Sequence, residues 1–172
     1  EIAIPQGLRL PLVYNTSGYE QVEVLRLLEG VVEVYLPDAK YADDKIARSI
    51  SGFKNYVKAN RRALKEMFRQ VGEELVLDEN GLAIRGMIIR HLVLPGGLAG
   101  TREVLNWIAK ELSPRVYVSI MAQYFPAHKA LGHPILGRKI TEEEYIEALE
   151  AFDEAGLERG WRQEYQPTSQ CL

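Results

Sequence analysis

A chain of 172 residues, 47% of them hydrophobic and 26% charged, is long enough to close one domain around a substantial core. The net charge of −3 argues against nucleic acid or an anionic membrane as the main partner, and no apolar run approaches the roughly 18 residues that a membrane span needs. A single cysteine, Cys171, stands beside the C-terminus, and no signal peptide is expected from the first residues. The expectation is therefore a cytoplasmic single domain over residues 1–172, without an internal disulfide or a cysteine metal site.

Taken in order, residues 1–7 read as the end of a helix closed by Gly7 with no initiator methionine, so an upstream segment is expected to be missing. Residues 8–15, LRLPLVYN, read as a short strand entering a polar turn at Thr16-Ser17-Gly18. A helix is predicted over residues 19–29, where Val22, Leu25 and Leu28 recur at helical spacing before Gly30. Residues 31–38 then form an apolar run of valines and a tyrosine ending in Pro37-Asp38, the pattern of an interior strand. A right-handed crossover between the two strands implies parallel pairing. With side chains alternating, Asp38 and Lys40 share a face with Leu36 and Val34, so a carboxylate and an ammonium emerge together at the strand's C-terminal end. Parallel α/β folds keep their chemistry there; an ion pair that merely closes a strand is the equal alternative.

Two helices are predicted next, over residues 43–50 and 54–71, the longer lying flat on a sheet through Val57, Leu64, Met67, Phe68 and Val71. The basic run NRRALK at residues 60–65 reads as that helix's solvated face. Residues 74–85 form two alternating arms around Asn80-Gly81, a hairpin signal, and Asp78-Glu79-Asn80 is turn chemistry rather than a calcium loop. Residues 87–95, MIIRHLVLP, read as a further interior strand with Arg90 on one face and His91 on the other. Arg90 is the better site candidate, because a buried guanidinium demands an anion, whereas a lone histidine on an apolar face is more often a satisfied core residue. The glycine-rich loop at residues 96–100 matches neither phosphate-binding fingerprint, and Thr101 is the expected N-cap of a helix to residue 112. A strand over residues 115–124 leads into a loop over 125–139 that is expected to cover the strand ends. His128 and His133 lie in this loop without a nearby carboxylate or cysteine, which argues against a metal pair. A capping box at Thr141-Glu142-Glu143-Glu144 opens a helix to Ala155, and a last strand-like piece spans residues 157–164. This order predicts an α/β fold with a mainly parallel sheet and a β-hairpin insertion.

Four phrases fall at successive predicted strand ends: Tyr14-Asn15-Thr16-Ser17-Gly18-Tyr19, Leu36-Pro37-Asp38-Ala39-Lys40-Tyr41, Ile89-Arg90-His91-Leu92-Val93-Leu94-Pro95-Gly96 and Met121-Ala122-Gln123-Tyr124. In order and spacing they resemble the C-terminal two-thirds of radical S-adenosylmethionine proteins related to pyruvate formate-lyase activating enzyme, in the branch of uncharacterised iron–sulfur homologues. The likeness runs from about residue 8 to residue 157 and implies strands three to six of a partial (β/α) barrel. It implies that Asp38 and Lys40 face S-adenosylmethionine and that Arg90 lies near the cofactor's carboxylate. The family's Asp-Thr pair after strand three is Asn15-Thr16 here, which weakens any cation site built on that aspartate. The histidine that ends the family's sixth strand has no match, so the ribose or adenine contact falls to Gln123 or Tyr124.

The family's Cys-x3-Cys-x2-Cys loop, which holds a [4Fe–4S] cluster, and its Gly-Gly-Glu strand are both absent, and Cys171 alone cannot replace three thiolates. The resemblance therefore implies a fragment, inactive by itself, of an enzyme that reductively cleaves S-adenosylmethionine to a 5′-deoxyadenosyl radical for hydrogen abstraction. Its implied partner is a glycyl radical enzyme or another protein substrate. The alternative is a non-catalytic α/β module that binds a nucleotide-like ligand or a protein. No residue is assigned as catalytic or as a metal ligand. If earlier barrel strands are missing, residues 10–15 become an open edge and self-association through it is expected.

Overall fold

Segments rich in β-branched and aromatic residues pair into one six-stranded sheet in the computed structural model, which describes residues 6–165. Along the chain run β1 (Val13–Thr16), α1 (Val22–Leu27), β2 (Val34–Pro37), α2 (Asp44–Ser51), α3 (Tyr56–Val71), β3 (Val76–Leu77) and β4 (Ala83–Leu92). They are followed by α4 (Thr101–Glu111), β5 (Tyr117–Met121), α5 (Glu142–Glu154) and β6 (Gly160–Arg162), with short 3-10 turns at Pro95–Gly97 and His128–Gly132. The spatial order is β1-β2-β4-β5-β6, all parallel, with β3 antiparallel on β4.

Each parallel strand lies beside its predecessor in sequence, so successive right-handed crossovers carry the connecting helices to the same face. Leu25, Leu64, Met67, Leu105, Ile108 and Phe152 from α1, α3, α4 and α5 share one buried cluster with Tyr35, Met87, Ile89, Val118 and Ile120 of the strands. The alternate strand positions Leu36, Ile88, Arg90, Ser119 and Met121 are only half-buried. One-sided winding of this kind is compatible with a partial α/β barrel and unlike a doubly wound sheet, which carries helices on both faces.

Several boundaries differ from those expected, each for a local reason. Pro11 has no N–H to offer a ladder, and β1 begins only at Val13, paired with Val34. β2 begins at Val34 because the N–H groups of Val31 and Val32 turn back to the Leu28 carbonyl and close α1. The second hairpin arm and the following interior strand are one ten-residue strand, β4, running straight through Gly86. A side chain at Gly86 would press on the Glu74 carbonyl, 2.7 Å from its Cβ. Thr101 is the first residue of α4 rather than its cap, and Gly100 takes the cap position. The capping box at Thr141 and Glu144 forms as expected, and the Asp78 carboxylate accepts from the N–H groups of Asn80 and Leu82 as turn chemistry. Cys171 and the helix end expected at residues 1–5 lie outside the described residues.

β1 is an edge strand, and Leu10 and Val13 beside its bare side are 75% and 53% exposed. Self-association is the expected result. Light scattering across a concentration series checks it, and a strict monomer at the highest concentration contradicts it. No helix among the described residues is long and apolar enough to cross a membrane.

Candidate functional site

The parallel register brings the C-terminal ends of β1, β2 and β4 together. Asn15 pairs with Leu36, and a single bridge joins Asp38 to Arg90 one step beyond β2. Alternation from the buried Tyr35 and Met87 puts Asn15, Asp38 and Arg90 on the face away from the helices. There the Asp38 carboxylate is ion-paired with Lys40 through one oxygen and lies 2.6 Å from the Arg90 guanidinium through the other. Arg90 also donates to Asn15 Oδ1 at 2.7 Å. Two cations thus converge on one carboxylate that is 13% exposed.

Asp38 Oδ1 lies 2.6 Å from Arg90 Nη2 as an ion pair, yet neither it nor Arg90 Nε has a hydrogen-bond partner among the described residues. Glu20 Oε2, at the turn after β1, is orphaned in the same way. Buried polar atoms left without a partner are uncommon, and Asp38 Oδ1 and Arg90 Nε belong to one cluster.

The main chain under the cluster is pinned from below. Asn60 donates to the carbonyls of Gly18 at 2.9 Å and Asp38 at 2.8 Å, and the Tyr56 hydroxyl accepts from the Lys40 N–H at 2.9 Å. Burial holds that hydroxyl protonated well above the usual phenol range. The basic reading of residues 60–65 conceals Asn60 as a site residue, and within that run only Arg62 and Lys65 are exposed. The available signal was Asn60 itself, one turn from Tyr56 and Leu64 and hence a polar residue within the apolar stripe of α3.

Thr16 is buried, its hydroxyl bonded to Glu20 and accepting from the Gly18 N–H, so it shapes the turn rather than facing the cluster. Gln123 is exposed and hydrogen-bonded toward Met121 and Gln163. Tyr124 donates to the Leu136 carbonyl at 2.8 Å and ties down the loop after β5. Neither residue hydrogen-bonds to the cluster. Among the described residues no group of three or more potential ligands stands ready for a metal ion, and His133 Nδ1 is occupied by the N–H groups of Ile135 and Leu136.

His91, on the opposite face of β4, is a core residue as expected. It is fully buried, with Nδ1 2.6 Å from the Ala39 carbonyl and Nε2 2.9 Å from the Thr101 hydroxyl. The carbonyl can only accept, so the proton resides on Nδ1 and Thr101 donates to Nε2. Burial pushes the pKa down to about 4. Since unfolded histidine titrates near 6.5, the unfolded chain takes up a proton that the native one refuses, and stability falls as pH drops from about 6.5 to about 4. Urea unfolding over that window should show a loss on the order of 3 kcal/mol that His91→Gln removes. Glu144, held at about 2 by Arg138 and backbone N–H groups, adds its own loss only below the ordinary glutamate range. Equal pH slopes in the wild type and His91→Gln would refute the assignment.

No family model matches the chain. It is 35% identical over 150 residues to an uncharacterised protein of Methanocaldococcus jannaschii, a match covering 87% of this chain and 40% of that protein. The chain spans well under half the length of the curated relative it matches.

Proposed function

We propose that this chain is the C-terminal part of a radical S-adenosylmethionine enzyme resembling pyruvate formate-lyase activating enzyme, with the cluster at Asn15, Asp38, Lys40 and Arg90 receiving the cofactor's amino-acid end. The convergence of those four side chains at consecutive parallel strand ends carries the reading, and the one-sided helix packing is what strands three to six of such a barrel require. A methionine headgroup is zwitterionic. Its carboxylate matches the cations Arg90 and Lys40, and its ammonium matches the Asp38 carboxylate.

The residues present do not fit an iron–sulfur cluster, since Cys171 is the sequence's one thiol. Cluster ligands would have to come from another part of a longer protein, and the greater length of the archaeal relative is in keeping with that. In such a parent the cofactor would be reductively cleaved to a 5′-deoxyadenosyl radical for hydrogen abstraction, from a glycine of a glycyl radical enzyme or from another protein substrate. Within this chain, Asp38, Lys40 and Arg90 bind and orient, and Asn60 and Tyr56 hold the backbone of Asp38 and Lys40 still.

The test is the longest natural reading frame containing residues 1–172, expressed anaerobically. The expected result is a three-cysteine loop, iron–sulfur absorbance and release of 5′-deoxyadenosine on reduction. A reading frame that lacks the cysteines and yet binds S-adenosylmethionine without iron supports a non-catalytic nucleotide-binding module instead.

A further inference from the structure

Beside the strand-end cluster, and sharing only Lys40 with it, lies a cavity of about 580 Å³. That volume is within the range of small-molecule sites. Its floor and walls are apolar, built from Ile50, Phe53, Leu92, Leu94 and Leu136. The sequence has 24 acidic against 21 basic residues, yet no aspartate or glutamate lines this cavity, while Lys40, Lys129, His128 and His133 do. We propose that the cavity binds a small organic carboxylate with an aromatic or branched apolar body.

Charge is the first argument. One carboxylate, Asp38, is shared by Lys40 and Arg90, so the pair of cations is compensated once. Lys129 makes no ion pair among the described residues. An anion entering from the Lys40 side meets the positive charge of Lys40 and Lys129 with no facing carboxylate in the lining. A cationic ligand finds no counter-charge at all.

Hydrogen-bond donors make the second argument. His133 Nδ1 accepts from two backbone N–H groups, at 3.1 and 3.0 Å, so the neutral ring carries its proton on Nε2. The hydroxyls of Tyr41 and Ser51 lie 2.6 Å apart and share one hydrogen bond, which leaves one of the two protons free to donate. The wall is also fixed in advance: Tyr124 is anchored to the Leu136 carbonyl at 2.8 Å. A preformed apolar slot with hydrogen-bond donors in its lining binds an amphiphilic anion without first having to order a loop.

The probes are three molecules of one shape: 2-naphthoate, its neutral isostere 2-naphthamide and the cationic 2-naphthamidine. Calorimetry on the chain without iron, reductant or S-adenosylmethionine keeps the result separate from the proposed enzymatic role. Naphthoate should bind at least tenfold more tightly than naphthamide, and naphthamidine should give no heat. Lys129→Glu, at an exposed position, should weaken naphthoate at least fivefold and leave naphthamide unchanged. Ala130→Trp, which fills the cavity, should abolish both while the unfolding curve stays cooperative. No binding of any probe at millimolar concentration overturns the proposal, as do equal affinities for all three or indifference of naphthoate to Lys129→Glu.

Discussion

Gly18→Ala should destabilise the protein by roughly 3 kcal/mol, a large effect for one methyl group. Gly18 has φ +71°, and a Cβ there would lie inside contact distance of both the Asp38 carbonyl oxygen and Asn60 Nδ2. The left-handed backbone alone costs a non-glycine residue about 1 kcal/mol. The remainder follows from geometry: the methyl cannot fit unless Asn60 withdraws, and Asn60 donates to the carbonyls of both Gly18 and Asp38. Losing two such bonds is worth about 2 kcal/mol. Urea unfolding checks the sum, and Asn60→Ala placed on top of Gly18→Ala should add less than it does alone, because the two changes remove the same bonds. A Gly18→Ala protein within 0.5 kcal/mol of wild type, the spread of ordinary surface substitutions, would mean that the turn is not the rigid support described.

How much of this was legible in the sequence depends on whether a residue's role is local. β2 and the outer half of β4 announced themselves through valine and isoleucine runs, and the Asn80-Gly81 turn through its dipeptide, because period and turn chemistry act over a few residues. The pairing of Asp38 with Lys40 followed from a two-residue spacing, and the opposite facing of Arg90 and His91 from alternation. The continuity of β4 through Gly86 did not: a glycine between two apolar runs reads as a break, whereas Glu74 and Leu75 approach so closely that only glycine fits. Arg90 reaching Asn15 spans 75 residues of sequence, and nothing local announces such a contact. The expected roles of Gln123 and Tyr124 came from the family resemblance, which put them at the end of a strand over residues 115–124, but β5 ends at Met121. Beyond that end Tyr124 bonds to the covering loop at Leu136, while Gln123 bonds to Met121 and Gln163.

If the proposed longer protein supplies a cluster, Asp38→Asn and Lys40→Met made in it should each lower S-adenosylmethionine cleavage at least tenfold, the rate equivalent of about 1.4 kcal/mol. Iron content and unfolding midpoint should barely move. The structural alternative makes the opposite forecast, since a partly exposed ion pair is worth at most about 1 kcal/mol of stability and nothing to a reaction. The geometry separates the two variants further. Asp38→Asn leaves Lys40 and Arg90 facing each other without their shared carboxylate, so it should raise the KM for the cofactor by unbalancing both contacts to its headgroup. Lys40→Met removes one cation while Arg90 keeps Asp38 and Asn15, so the arginine stays in place and the loss should be smaller in KM and larger in kcat. Restoring charge with Lys40→Arg should recover part of the rate, which a purely structural lysine would not require. Wild-type cleavage in both Asp38→Asn and Lys40→Met would leave the cluster as a strand-end ion pair and remove the functional reading of its four residues.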